Sequence, residues 1–141
     1  MRQQARIDRG FLDRIARESA PFTDYYGFLV EEFGNGTALV RLPYDAKHTR
    51  PGGTIGGPAM MALADFTMWV AVMGAVGEEP LSVTTNLNCN FLRKPAEADL
   101  LAEARLLKAG KRLCVGDVAI RADGQADICA HVTATYSVPP R

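Results

Sequence analysis

The sequence predicts an α+β fold in which a curved antiparallel sheet wraps one long central helix. Residues 58–76 form an almost entirely apolar run of helical length. Over residues 81–91 the odd positions are mostly apolar and the even positions mostly polar, the pattern of a strand with two different faces. Three further strand-length segments follow, separated by short glycine turns that join antiparallel neighbours. A helix that is apolar all round needs such a cover. The 141 residues suit a single domain spanning 1–141.

The segment before the long helix predicts one short helix and a hairpin. Ile7, Phe11, Leu12 and Ile15 lie at helical spacing, and Pro21 is expected to end that helix. Residues 27–32 and 37–42 have strand character and are joined through Gly-Asn-Gly at 34–36, a strong hairpin signal. Residues 43–57 are rich in proline and glycine and are expected to form a loop.

The long helix and the later strands have clear end signals. Pro58 suits the first helical turn, where a missing N–H costs nothing, and Gly77 closes the helix. The three strands expected after residues 81–91 span residues 99–108, 112–122 and 126–137, with turns at 109–111 and 123–125.

Composition argues against several classes of protein. The 16 basic and 16 acidic residues give a net charge of zero, so no broad basic surface for nucleic acid is expected. Three cysteines far apart, without a CxxC pair, predict neither a zinc site nor a disulfide framework. We therefore expect no metal and a cytoplasmic protein with buried thiols.

The apolar run is long enough to cross a membrane, and Asp65 argues against that interpretation. An aspartate in a membrane span costs about 2.5–3.5 kcal/mol on insertion scales. Residues 1–17 are charged throughout and lack the apolar stretch of a signal peptide. A buried core helix is the expected outcome.

Asp65 is the sharpest functional candidate. It is the only ionisable residue between Arg50 and Glu78, in a stretch that otherwise favours burial. Carboxylates held in apolar clefts are candidate bases or nucleophiles. The structural alternative is an aspartate that accepts hydrogen bonds from Thr67, Thr84 or a backbone amide and only fixes packing. Periodicity alone leaves both interpretations open.

A glycine-rich loop, residues 52–58, leads into the long helix. A helix N-terminus presents free N–H groups and the positive end of a dipole, which suits a phosphate or a developing oxyanion. The loop lacks the Walker and Rossmann spacings, and a purely structural turn would also explain it. Together with Asp65, two helical turns further on, it describes an acyl-transfer site with an oxyanion donor and a base.

Residues 48–65 resemble the signature of PaaI-like hotdog thioesterases: H-x-N, a glycine, H-G-G, four residues, then L-A-D. His48, Gly53, Gly57 and Leu63-Ala64-Asp65 stand at matching spacing. Residues 84–95, ending Asn-Phe-Leu-Arg-Lys-Pro, are similar to the family's long strand, and 101–105 and 110–111 are similar to the elements that follow it. The resemblance extends from residue 11 to residue 136.

The resemblance implies a hotdog fold and hydrolysis of an acyl-CoA thioester. In that family, the Gly57 N–H would polarise the thioester carbonyl. Asp65, from the neighbouring subunit, would act as base or nucleophile, and Thr84 would help to place water. It implies no cofactor beyond the CoA of the substrate, and a homodimer or a homotetramer.

Arg93, Lys94, Lys111 and Arg112 lie where the resemblance places CoA phosphates, and ordinary solvated turn charge is the alternative. Met60, Met61, Phe66 and Trp69 are candidates for lining the acyl pocket.

Three positions depart from the motif. Gly56 replaces its histidine, Pro58 its second glycine and Arg50 its asparagine, and Arg50 can offer a cation to a carboxylate or carbonyl oxygen. The departures leave two alternatives: a non-catalytic acyl-CoA or lipid-binding protein, and a hotdog hydratase or dehydratase. The second needs a catalytic histidine, for which His48 and His131 are poorly placed.

Overall fold

The structure is a computed structural model that describes residues 4–140. Before the long helix lie α1, α2, β1 and β2; after it comes a run of four strands. The bounds are α1 Arg9–Ser19, α2 Phe22–Tyr26, β1 Leu29–Gly34, β2 Thr37–Leu42, α3 Gly57–Val76, β3 Val83–Phe91, β4 Leu100–Ala109, β5 Leu113–Ala122 and β6 Ile128–Ser137.

The six strands form one sheet in the order β1-β2-β4-β5-β6-β3, and every neighbouring pair is antiparallel. The sheet curves around α3, which packs against all six strands. Consequently β3 forms one edge of the sheet although it is third in sequence. The predicted architecture, a central helix wrapped by an antiparallel sheet, is confirmed.

Helix α3 is a core helix. Leu63, Met68 and Met73 on different sides of it are fully buried, as expected of a helix that is apolar all round. By length and composition α3 could cross a membrane, but 78% of its most apolar stretch is buried inside the structure. Pro58 occupies the first turn and Gly77, at φ 105°, follows the last, as the sequence predicts.

Gly74 is a point of close approach between the β1–β2 hairpin and α3. A Cβ at Gly74 would overlap the carbonyl oxygen of Gly34, which is backbone and cannot rotate away. We expect Gly74→Ala to lower the free energy of unfolding by about 1–3 kcal/mol, because the helix or the hairpin must move. Urea denaturation measures the change.

Gly10, in α1, is the matched control for Gly74. A Cβ there meets only an Asp8 carboxylate oxygen at 3.5 Å, an ordinary contact. Gly10→Ala should therefore raise stability by about 0.5–1 kcal/mol through helix propensity. Equal effects of the two substitutions would contradict the packing argument.

Element boundaries differ from the predictions at the N-terminal side of the sheet. The strand predicted over residues 27–32 begins only at Leu29, because residues before it form α2, a helix that the sequence analysis missed. Gly27, at φ 74°, ends α2, and its amide donates to the Thr23 carbonyl. The strand predicted from residue 81 begins at Val83, and the last three strands begin one or two residues later than predicted.

Candidate active site

Asp65 lies halfway along α3, half-buried, at the wall of a cavity of about 310 Å³. Phe66 and Trp69 of the same helix and Val83 of β3 also line this cavity. The carboxylate therefore faces a space with largely aromatic and aliphatic walls. Such a space suits an apolar group bound next to a reactive oxygen.

Two hydroxyl groups hold one oxygen of the Asp65 carboxylate. The Thr84 hydroxyl donates to Asp65 Oδ1 at 2.5 Å, and the Tyr136 hydroxyl lies 2.7 Å from the same oxygen. No hydrogen bond within the described residues 4–140 engages Oδ2. One oxygen is thus anchored, while the other remains available to a water molecule or a substrate.

Tyr136 is a donor that sequence analysis missed. Its side chain is 3% exposed, and it comes from β6, where it pairs in register with Thr84 of β3. Burial, and then the negative charge of Asp65, raise the pKa of the Tyr136 phenol well above its usual value. The phenol therefore keeps its proton at every pH at which the protein would work. Its place in the alternating pattern of the last strand marks it as inward-facing, but nothing in the sequence names its partner.

A β-bulge turns Thr84 towards Asp65. The β3–β6 register shifts between Thr84 and Asn86, and beyond the bulge Leu87 pairs with Ala134. Directly paired residues of an antiparallel ladder point to the same face. Strict alternation would place Thr84 on the face opposite to Leu87, whereas the bulge places both on the face that covers α3.

The structure distinguishes between the hydroxyl donors that the sequence suggests for Asp65. The Thr67 hydroxyl donates to the Leu63 carbonyl at 2.6 Å, not to Asp65. Of the donors considered from sequence, Thr84 is the one that reaches the carboxylate.

The start of α3 forms a second concave surface. The Gly56 amide is already used, since it donates to the His48 carbonyl at 2.9 Å. Pro58 has no N–H, so Gly57 carries the first available amide of the helix, with no carbonyl one turn earlier in the helix to accept it. A Cβ at Gly57 would lie 3.2 Å from the Phe91 ring, so the missing side chain allows this ring to pack over the helix start.

Three basic residues line the same cavity as Gly57. The cavity that it lines, of about 410 Å³, is also lined by Arg50, Arg93 and Lys94, and no carboxylate contributes to its wall among the described residues. The Arg50 amide donates to the Thr54 carbonyl at 2.8 Å, which fixes the backbone of the loop while the side chain stays exposed. Arg93 Nε donates to the Ile128 carbonyl at 3.0 Å, which holds its guanidinium near β6.

The four basic residues predicted to meet CoA phosphates fall into two groups. Arg93 and Lys94 follow β3 and lie near Gly57. Lys111 and Arg112 occupy the β4–β5 turn, and the carbonyl of Arg112 accepts from the Val138 amide just beyond β6. That turn belongs to the Asp65 end of the sheet, because Cys114 of β5 pairs with Tyr136.

One chain does not bring Asp65 and Gly57 together. Eight residues separate them on α3, which corresponds to about 12 Å along the helix axis. They also line different cavities. No carbonyl group can contact both within a single chain.

The predicted pocket residues divide in the same way. Phe66 and Trp69 line the Asp65 cavity, and Met60 lines the Gly57 cavity. Met61 is 41% exposed to solvent on the outer side of α3.

Neither histidine contacts the Asp65 carboxylate or the Gly57 amide, because each has its own partner elsewhere. His48 is buried among the rings of Tyr25 and Tyr26, and its Nε2 lies 3.3 Å from the Tyr26 carbonyl. His131 lies 2.9 Å from Asp117 on the sheet face that points away from α3. Among residues 4–140 no cluster of three His, Cys, Asp or Glu side chains could hold a metal ion.

Comparisons with known proteins agree on one family. The model of the thioesterase superfamily matches residues 52–129. The crystal structure of a candidate thioesterase from Silicibacter sp. TM1040 superposes on this chain with a TM-score of 0.87. The two sequences are 39% identical, and the match covers 98% of this chain and 96% of that one. A mutant of the phenylacetic acid degradation protein PaaI from Thermus thermophilus is 25% identical, with TM-score 0.73 and coverage of 83% and 97%. A candidate esterase from Saccharolobus solfataricus is 29% identical over 82% of this chain and 75% of its own length.

Proposed function

Because this chain belongs to the thioesterase superfamily and has its hotdog fold, we propose that it hydrolyses an acyl-CoA thioester to the free acid and CoA. The observation that carries the proposal is the Asp65 carboxylate. Thr84 and Tyr136 hold Oδ1, and Oδ2 stays available beside a cavity with apolar walls. Catalytic carboxylates need this combination of a fixed orientation and one uncommitted oxygen.

The active site is composed of two subunits in this proposal. β3 is an edge strand, and apolar side chains at its two ends are open to solvent, with Val83 57% and Phe91 50% exposed. A second copy pairing antiparallel through β3 covers these side chains and continues the sheet. At about 3.3 Å per residue the two ends of β3 lie about 26 Å apart within one chain.

Two-fold pairing through β3 reverses the strand direction. The Phe91 end of one strand, with Gly57 beside it, then lies next to the Thr84 end of the partner strand, with Asp65 of the partner subunit. A homodimer is the smallest assembly that builds the site, and a homotetramer made of two such dimers keeps the same sites.

In the proposed reaction Asp65 Oδ2 takes a proton from water, and the water oxygen attacks the thioester carbonyl carbon. The π electron pair moves onto the carbonyl oxygen, where the Gly57 N–H of the other subunit donates to it. Such donors contribute about 2.7–4 kcal/mol to transition-state stabilisation. The electron pair on the oxyanion then re-forms the C=O bond as the C–S bond breaks. The C–S electron pair leaves with sulfur, which takes the proton from Asp65, so the products are the free acid and CoA. No cofactor is needed.

The cations bind the CoA part in this arrangement. Arg50, Arg93 and Lys94 lie beside the oxyanion donor, and two-fold pairing brings Lys111 and Arg112 of the partner subunit to the same mouth. Phosphates of CoA carry the negative charge that this basic surface attracts. An acyl-CoA substrate and cysteines in the thiol form fit the cytoplasm.

Thiol release tests the proposed function. The protein is incubated with aromatic and aliphatic acyl-CoAs of increasing size, and free CoA is titrated with a thiol reagent. We expect turnover that depends on the acyl group, because Phe66 and Trp69 limit the cavity. Tight binding of the same acyl-CoAs without thiol release would instead identify a binding protein that has lost the chemistry.

A further inference from the structure

The Tyr136 hydroxyl has two acceptors on a single residue. It lies 2.7 Å from Asp65 Oδ1 and 2.8 Å from the backbone carbonyl oxygen of Asp65. A phenol has one proton and donates to one acceptor at a time. Both distances are ordinary for an O–H···O hydrogen bond, so a rotation about the Cζ–O bond exchanges one acceptor for the other.

The two acceptors differ in strength according to the charge on Asp65. A carboxylate accepts a charge-assisted hydrogen bond, which is about twice as strong as a neutral one. When Oδ2 takes a proton, Oδ1 becomes the oxygen of a neutral acid, no stronger as an acceptor than the backbone carbonyl. The buried phenol thus keeps a partner in both states, and neither state leaves a buried donor unsatisfied.

We propose that Tyr136 is the positioning residue for Asp65, holding the carboxyl group in one orientation while its charge changes during hydrolysis. The inference rests on the proposed function. Tyr136 gives up no proton in this role: its O–H bond persists and only turns from Oδ1 to the backbone carbonyl and back. The proton that moves in the reaction goes from water to Asp65 Oδ2 and on to the CoA sulfur.

Three features of the site support this role. The Tyr136 ring is buried, so its hydroxyl has a fixed position relative to α3. Thr84 donates to the same oxygen from the neighbouring strand, so both hydroxyl groups meet at Oδ1 of a residue that lines the cavity. Burial and the charge of Asp65 raise the pKa of Tyr136, so the phenol does not compete as an acid.

Tyr136→Phe removes the hydroxyl and keeps the ring. We expect kcat to fall about tenfold while KM changes less than about twofold, since the hydroxyl that is lost contacts Asp65 and the ring that lines the cavity is kept. Tyr25→Phe is the matched control, because Tyr25 is an exposed tyrosine of α2, and its kcat should equal that of the wild type. Wild-type kcat in Tyr136→Phe would overturn the inference.

A double substitution separates positioning from general packing. In an Asp65→Asn background, Tyr136→Phe should leave the residual kcat unchanged, because the group through which Tyr136 acts is already absent. The same fall in both backgrounds would show a purely structural role and overturn the inference. If Asp65→Asn itself keeps wild-type turnover, Asp65 is not the base and the inference is overturned. The proposed function fails only if the wild type releases no thiol from any acyl-CoA, so the two failures are distinguishable.

Protein labelled with 13C at tyrosine Cζ provides a test that leaves Tyr136 itself unchanged. The chain has four tyrosines, so the spectrum contains few signals. We expect the Tyr136 signal to differ between the wild type and Asp65→Asn, since the hydroxyl loses its charged acceptor. An unchanged Tyr136 signal would contradict donation to the carboxylate, whatever the stability of Tyr136→Phe.

Discussion

Replacing Asp65 with alanine or asparagine is expected to lower kcat for acyl-CoA hydrolysis by about two to four orders of magnitude. A positioned general base contributes a factor of this size, because without it water must attack with its proton still attached. The asparagine variant is the sharper one. Its amide oxygen can still accept from Thr84 and Tyr136, so packing and cavity shape are preserved while the basic oxygen is lost.

Glu18→Gln is the control for Asp65→Asn, since it neutralises an exposed carboxylate on α1 that lies outside the walls of both cavities. Its kcat should match that of the wild type. Both Asp65 variants should melt within a few degrees of the wild type, which excludes unfolding as the cause of lost activity. Turnover that survives both substitutions would show that Asp65 only fixes packing, and a different residue would have to activate water.

The sequence predicts the fold well because periodicity reports burial directly. The run over residues 58–76 has one ionisable residue, and such a run must be covered on all sides wherever it lies. Beyond the bulge of β3 the alternation reports burial, because Leu87 and Cys89 are half-buried against the core and the asparagines beside them are exposed. The same reasoning singles out Asp65, since a charge in such a run needs a local reason.

The sequence offers Thr84 as a possible partner of Asp65, but it does not offer Tyr136, whose contact depends on strand order. Tyr136 is 71 residues away in sequence, and it reaches Asp65 only because β6 inserts between β5 and β3. Thr84 faces the helix only because of the bulge that follows it. Alternation alone would place Thr84 on the opposite face of the sheet. Both facts belong to tertiary pairing, which no local pattern of residues specifies.

Nearness in sequence also misleads for Gly57 and Asp65. Two turns of one helix suggest groups within reach of each other, yet the rise of the helix puts them about 12 Å apart. Their cavities are separate. A carbonyl that contacts both groups must lie between two chains, and this requirement can be tested without a structure of the assembly.

Subunit mixing is expected to restore activity between two inactive variants. Asp65→Ala removes the base, and Gly57→Pro removes the amide while keeping a residue that suits the start of a helix. Gly56, at ψ 162°, already has the extended conformation required before proline. In a heterodimer of the two variants, one of the two composite sites contains both functional groups. Its kcat per dimer should be about half that of the wild type.

The reverse arrangement gives the opposite result. A chain carrying both substitutions, paired with a wild-type chain, lacks one group in each composite site and should be inactive. Sites built within one chain would behave the other way round, with no activity in the first heterodimer and about half in the second. Gly57→Ala is the matched control, because it adds the same Cβ contact with the Phe91 ring and keeps the N–H. Gly57→Ala should therefore stay active as a homodimer, whereas Gly57→Pro should not. This difference would assign the lost activity to the amide and not to the added carbon.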